Sequence, residues 1–334
     1  EGYVRLRVSE AERRQAKHDI QHVEDIVIEM LRNARDAGAD KVYLATTKED
    51  GVRTLVFLDN GSGVPQDMQE RIFDARVTSK LESMKMDRWG VHGRGMALFS
   101  IKQNTDEARV VASDVDLGSV FKVSVATDRL GERADQSSWP QAVKDEDGRY
   151  VCARGPHNII RAACEFALEE LRACDVYLGS PSEIAATLHA QASSRLDASR
   201  LLFIDDEAEL PVVDRLGLAS DAEDFIRICS GLGLEMSERT AHRILAGQIK
   251  PVRGVTARLL RERDSSSHAS APVDLAKDRR GLRIAKDDMA QFSRAVERDF
   301  NDLASRYYLN LCGDPKIRVS RDRITVTFDL AKEE

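Results

Sequence analysis

At 334 residues, 42% of them hydrophobic and 32% charged, the chain has the composition of an ordinary globular protein, long enough for about two or three domains. Its net charge of -7 excludes a protein that coats nucleic acid through its overall field and leaves room only for local basic patches. Five cysteines, an odd number without a C-x-x-C pair, argue against a disulfide frame or a zinc site. No apolar run approaches the length of a membrane span, so a cytoplasmic protein without a membrane partner is expected.

In chain order, a charged start with a strand-like Tyr3–Val8 segment leads into a helix from about Ile20 to Ala37. Val23, Ile26, Val27, Met30 and Ala34 recur at helical spacing on one apolar face, and Gly38 is placed to cap the end. At 100° per residue, Glu29, Asn33 and Asp36 fall within about 60° of one another beside that face. Arg32 and Arg35 are expected to point to solvent. Two strands follow, Lys41–Thr46 and Thr54–Leu58, around an Asp50-Gly51 turn. The second runs into Asp59-Asn60-Gly61-Ser62-Gly63, an acid and two glycines at a strand end, which is an arrangement suited to a ligand.

Residues 66–89 read as a polar segment able to close over a ligand, with a short helix at Met68–Phe73 and the triplet Thr78-Ser79-Lys80. Lys80 reads either as a phosphate contact or as a solvated residue. Gly90, Gly93 and Gly95 precede a helix starting near Met96, and glycine-rich loops before a helix bind phosphate through backbone N–H groups and the helix dipole. Strands are expected at Ala108–Ala112 and Ser119–Val125, the latter turning Phe121, Val123 and Val125 inward.

Residues 128–150 look polar and strand-poor and suggest a boundary, giving domains at 1–130, 150–265 and 282–334. Beyond it are expected a helix over Asn158–Ala173, a strand at Asp175–Leu178 and a helix opened by Ser180, Pro181 and Glu183 as a capping box. Residues 221–263 read as helical and end in a basic run, with a faint helix-turn-helix character at Thr240–Gly247. A loop at 264–281, an amphipathic helix carrying Met289, Phe292, Val296, Phe300, Leu303 and Tyr307, and a hairpin of Lys316–Val319 with Ile324–Phe328 complete the chain.

The motifs over residues 20–126 resemble those of the GHKL (Bergerat-fold) ATPase superfamily. Glu29 to Ala39 is similar to the E-x-x-x-N-x-x-D-A-G-A helix of the MutL, type IIB topoisomerase and MORC-like members. Thr78-Ser79-Lys80 resembles the MutL lid triplet, and Arg94 to Ile101 is similar to R-G-E-A-L-A-S-I, with Met96 replacing the acid. The resemblance implies an α/β (α+β) fold: a two-layer α/β sandwich ATP domain, then a mostly helical region and a small C-terminal β-hairpin. It implies ATP and Mg²⁺ as ligands, with Glu29 activating water, Asn33 ligating Mg²⁺, Asp59 selecting adenine and Asp36 near the nucleotide. Gly61 and Gly63 would let backbone approach the base. Thr78, Lys80, Gly90, Gly93, Arg94, Gly95 and Met96 would line the nucleotide from the lid. The function expected is a slowly hydrolysing ATPase that dimerises with ATP bound and acts on a protein or DNA client. A protein kinase of the anti-sigma kind and a non-hydrolysing ATP-binding scaffold are the alternatives.

Overall fold

The computed structural model describes residues 4–5, 18–75, 77–78, 85–87, 90–92, 95–196, 204, 206–260, 289, 292–293, 296–297, 300, 309–311, 315–319 and 324–332. The chain divides into two units, Glu1–Ser266 and Ser267–Glu334.

The first unit is built on a five-stranded mixed sheet of order β11-β2-β3-β8-β7. Its strands are β2 (Lys41–Glu49), β3 (Val52–Asp59), β7 (Glu107–Ser113), β8 (Ser119–Ala126) and β11 (Asp175–Gly179). β2 and β3 form a hairpin whose turn residues Asp50 and Gly51 have φ of 48° and 79°. Two consecutive left-handed residues match the right-handed twist of a hairpin, which is why an Asp-Gly pair stands there. The antiparallel order β2-β3-β8-β7 accepts β11 at its edge in parallel, Asp175 opposite Lys41 and Gly179 opposite Ala45.

Alternation along the strands sends side chains to two cores. Val42, Leu44, Leu55, Phe57, Val123 and Val125 join one core with helices α1 (Val23–Asp36), α2 (Ala97–Asn104) and α3 (Ile159–Glu169). This is the expected α/β sandwich. Tyr43, Ala45, Val56, Leu58 and Val120 face the other way and pack with α4 (Pro181–Arg195), α5 (Ala222–Gly231) and α6 (Glu238–Leu245). Each fully buried Val, Ile, Leu or Phe contributes about 1.5–3 kcal/mol, so both faces of the sheet are strongly held.

Several expectations change. The boundary suggested near 130–150 is not where the contacts divide, because β11 lies beyond it and yet belongs to the central sheet. Residues 128–150 are not strand-poor: β9 (Gln141–Lys144) pairs with β10 (Tyr150–Arg154). The helix expected at Met68–Phe73 is two separate 3-10 turns, Gln66–Met68 and Arg71–Phe73. The strand-like start appears as β1 (Val4–Arg5), paired with β4 (Val77–Thr78). Ser180 caps α4 as expected, its hydroxyl accepting from the Glu183 N–H while Glu183 Oε2 accepts from the Ser180 N–H at 2.9 Å.

The second unit contains the expected hairpin, β13 (Lys316–Val319) with β14 (Ile324–Thr327). A further pair, β12 (Leu309–Leu311) with β15 (Leu330–Lys332), flanks it in sequence. Met289, Phe292, Val296 and Phe300 are helical, and Phe300 stacks on Phe328 with centroids 4.1 Å apart. Leu303, Tyr307 and the loop expected at 264–281 lie outside the described residues.

Candidate nucleotide site

Helix α1 and the loop after β3 are built against each other. Val23, Ile26, Val27, Leu31 and Ala34 bury one side of α1, which fixes the helix rotation and leaves Glu29, Asn33 and Asp36 half-buried along its margin. The helix ends as its sequence suggests, with Gly38 at φ 77° and its N–H donating to the Arg35 carbonyl at 2.9 Å. Immediately beyond, the Ser62 N–H donates to the Ala37 carbonyl at 2.9 Å. The end of α1 and the Asp59–Gly63 loop are thereby one structure.

Arg32 and Arg35 do not point to solvent. Arg32 is 2% exposed, and its Nη1 donates to Glu29 Oε1 at 2.7 Å. Arg35 Nε donates to Asp36 Oδ1 at 3.0 Å while its Nη1 reaches Glu170 Oε1 at 3.0 Å. The cause is α3, which packs along α1 and covers the side that an isolated helix would present to water. Two buried cations thus sit beside two of the three polar site residues, and burial strengthens such charge-assisted contacts. The third, Asn33, has a buried Nδ2 without a hydrogen-bond partner among the described residues. Its amide oxygen and nitrogen are interchangeable by a flip of the side chain. An unpartnered buried amide is costly, and a ligand that completes it would recover that cost.

Asp59 closes β3 and is 4% exposed. Burial pushes its carboxyl up to about 7, against the Gly61 N–H, which donates to Oδ1 at 2.8 Å and pulls it down. A folded-state value above the unfolded one means the folded protein holds the extra proton between about pH 4 and 7, so stability falls as pH rises through that window. Asp59→Asn should therefore melt close to wild type at pH 4 and higher than wild type at pH 8, by a stability increment on the order of a few kcal/mol. Thermal melts of both proteins across that range check this; parallel pH profiles would contradict it.

The loop itself is braced by side chains that sequence reasoning passed over. Asn60 Oδ1 accepts from the N–H groups of Asp40 and Lys41 at 3.1 and 2.9 Å, tying the loop to the α1–β2 connection. Ser113 Oγ accepts from the Val64 N–H and donates to the Gly118 carbonyl, both at 2.8 Å. Asn60 could have been suspected from its Asn-Gly step; Ser113, on a distant strand, gives no local signal.

Gly61 and Gly63 are required by protein contacts as well as by any ligand. A Cβ on Gly61 would meet Ala37 Cβ, Ala37 O and Asp59 Oδ1, each at 2.9 Å. One on Gly63, where φ is 70°, would lie 1.8 Å from the Asp114 carbonyl oxygen. Gly118, not singled out by sequence, is equally constrained: its Cβ would stand 2.1 Å from the Asp59 carbonyl oxygen.

The lid is placed only in part. Thr78 lies in β4, and Gly90 lies in β6 (Gly90–His92), which pairs with β5 (Lys85–Asp87). Gly95 has φ 66°, and Met96 stands at the start of α2 without a side-chain cap. Lys80, Gly93 and Arg94 lie outside the described residues. The described contacts tie the end of α1, at Ala37, to the Asp59–Gly63 loop through Gly61 and Ser62, with Glu29, Asn33 and Asp36 along the same helix.

Residues 20–113 match the family model of the histidine kinase-, DNA gyrase B-, and HSP90-like ATPases. Among curated proteins, the DNA mismatch repair protein MutL of Staphylococcus aureus strains Newman, JH1 and Mu3 is similar. Each is 28% identical over 136 residues, covering 38% of this chain and 20% of the relative. The chain thus spans about a fifth of the length of the curated relatives it matches. Among the described residues, no helix is long and apolar enough to cross a membrane.

Proposed function

We propose that the protein is a Mg-ATP-dependent switch with slow hydrolysis, a reading supported by the match of residues 20–113 to the GHKL ATPase family model. The observation that carries this reading is the Asn33 side-chain amide, whose buried Nδ2 has no hydrogen-bond partner among the described residues, one helical turn from the Glu29 carboxylate that Arg32 holds in place. Ligand capture and water activation are thereby offered from the same margin of α1.

Asp59 accepts the adenine amino group through a carboxyl that has little other polar company. Asn33 offers its amide oxygen to Mg²⁺, the hard cation that takes oxygen ligands and retains waters. When bound, the ion neutralises phosphate charge and orients the phosphates for attack. Glu29 orients a water molecule and accepts its proton, and Arg32 keeps that carboxylate from swinging toward solvent. Asp36, held by Arg35, lines the nucleotide beyond Asn33. The N–H groups at the start of α2, freed by the left-handed Gly95, meet phosphate oxygens. Thr78, Lys80, Gly90, Gly93, Arg94 and Met96 complete the lid. Phosphoryl transfer needs placement and charge stabilisation above all, which such a set supplies.

The output is a change of shape in which two copies associate through the ATP domain and lid while ATP is bound. The sheet offers a route for it: Asp59 is opposite Val42 on β2, and β2 carries β11 on its other edge. Residues 150–265, which supply β11 and the helices on the second face, would pass the closed state to a protein or DNA client in the cytoplasm. Size-exclusion light scattering with and without a non-hydrolysable ATP analogue tests this. Wild type should double in mass with analogue and Mg²⁺, and Asn33→Ala should stay a monomer. A wild-type mass that ignores the analogue would reject the switch.

A further inference from the structure

Far from the nucleotide site in sequence, residues 236–260 carry five Lys/Arg against the single acid Glu238, in a chain whose net charge is -7. Two of the five, Arg239 and Arg243, lie on α6, which also carries Glu238, its carboxylate 3.7 Å from His242 Nε2. Ala241 and Ile244 are buried in the second core together with Phe225 and Ile228 of α5, which fixes the helix rotation. Residues 232–237 join the two helices, with Gly233 at φ 68° making the turn and the Ser237 hydroxyl accepting from the Thr240 N–H at 3.3 Å. The face opposite the buried pair is left open. Arg239, His242, Arg243 and Ala246 are exposed there, beside exposed Glu238 and Gln248.

Arg239 and Arg243 are four residues apart, so they are neighbours on one face, and neither makes an ion pair among the described residues. Lys250 and Arg253 are exposed and follow the helix in sequence, whereas Arg258 is engaged over the Trp139 ring at 3.8 Å. The stretch 236–260 contains no Trp, Tyr or Phe, the usual anchors of a protein interface. Its chemistry is that of a phosphate-binding surface with hydrogen-bonding groups between the cations.

We propose that α6 and the Lys250–Arg253 segment form a binding surface for double-stranded DNA, with α6 entering the major groove. A helix about 10–12 Å across fits a groove about 12 Å wide, while the narrow major groove of duplex RNA would exclude it. Arg239 and Arg243 contact phosphates or guanine edges, and Gln248 and His242 offer hydrogen bonds between them. The surface shares no residue with the nucleotide site, so the inference stands or falls independently of ATP binding.

The test is fluorescence anisotropy of the full chain with a labelled duplex of about 24 base pairs, titrated between about 50 and 200 mM salt without nucleotide. Wild type should bind, with affinity falling steeply as salt rises. R239A/R243A should bind roughly ten-fold or more weakly at low salt, with a log–log salt slope shallower by about 2. R149A, which removes an exposed cation elsewhere, should behave as wild type, and all three should melt alike. No binding by wild type at the lowest salt, an unchanged slope in R239A/R243A, or tighter binding of polyglutamate than of duplex would each overturn the proposal.

Discussion

Replacing Glu29 by Gln should reduce ATP turnover by roughly 10²–10⁴-fold while leaving nucleotide affinity within a few-fold of wild type. The amide is isosteric and still accepts a hydrogen bond from Arg32, so α1 keeps its packing, but it cannot take a proton from water. Arg32 is buried and would lose a charged partner, so a modest drop in melting temperature is also expected. Phosphate release and equilibrium nucleotide binding, measured on the same preparations, separate the two effects. If turnover fell in proportion to affinity, Glu29 would be a binding residue and the proton-accepting role would fail. A variant hydrolysing at the wild-type rate would remove it from the chemistry altogether.

The second large effect is expected from Gly63→Ala. At φ 70° an L-residue is strained by about 1–2 kcal/mol, and the added methyl would also lie 1.8 Å from a carbonyl oxygen of the Asp114 backbone. Backbone cannot yield as a flexible side chain can, so the loop must move. Ser113, which holds Val64, and Ser62, which holds Ala37 and Asp116, would be pulled out of register with it. A loss of several kcal/mol is expected, seen as a large fall in melting temperature, together with loss of nucleotide binding. Gly51→Ala is the matched control: it also has positive φ, 79°, yet a Cβ there meets nothing within 4 Å. It should cost only the conformational strain and leave binding intact. Equal stability for the two variants would show that the close approach to Asp114 does not hold the loop.

The nucleotide-site elements were legible because their signals are local. The apolar face of α1, the Asp-Gly turn and the acid at the end of β3 each follow from a few adjacent residues. Arg32 and Arg35 were misplaced because their burial depends on α3, which follows more than a hundred residues later in the chain. The same non-locality hid the place of β11: Asp175–Leu178 read as a strand, but nothing in those residues says that they pair in parallel with β2. β9 escaped because its residues are mostly exposed, so it lacks the apolar alternation that marks a half-buried strand. Gly61 and Gly63 stand out in the sequence as glycines after an acid at a strand end, whereas their close contacts with Ala37 and Asp114 appear only once helix and strands are assembled.

Titration calorimetry of wild type and Asp59→Ala with ATP and GTP in Mg²⁺ tests most directly the proposed adenine-nucleotide site on α1 and the loop after β3. Wild type should bind ATP at least about ten-fold more tightly than GTP, since a buried acceptor facing the guanine carbonyl instead of the adenine amine would be left unpaired. Asp59→Ala should lose most of the ATP affinity and, with it, the preference. Equal binding of the two nucleotides by wild type, or ATP affinity unchanged in Asp59→Ala, would contradict the site as described.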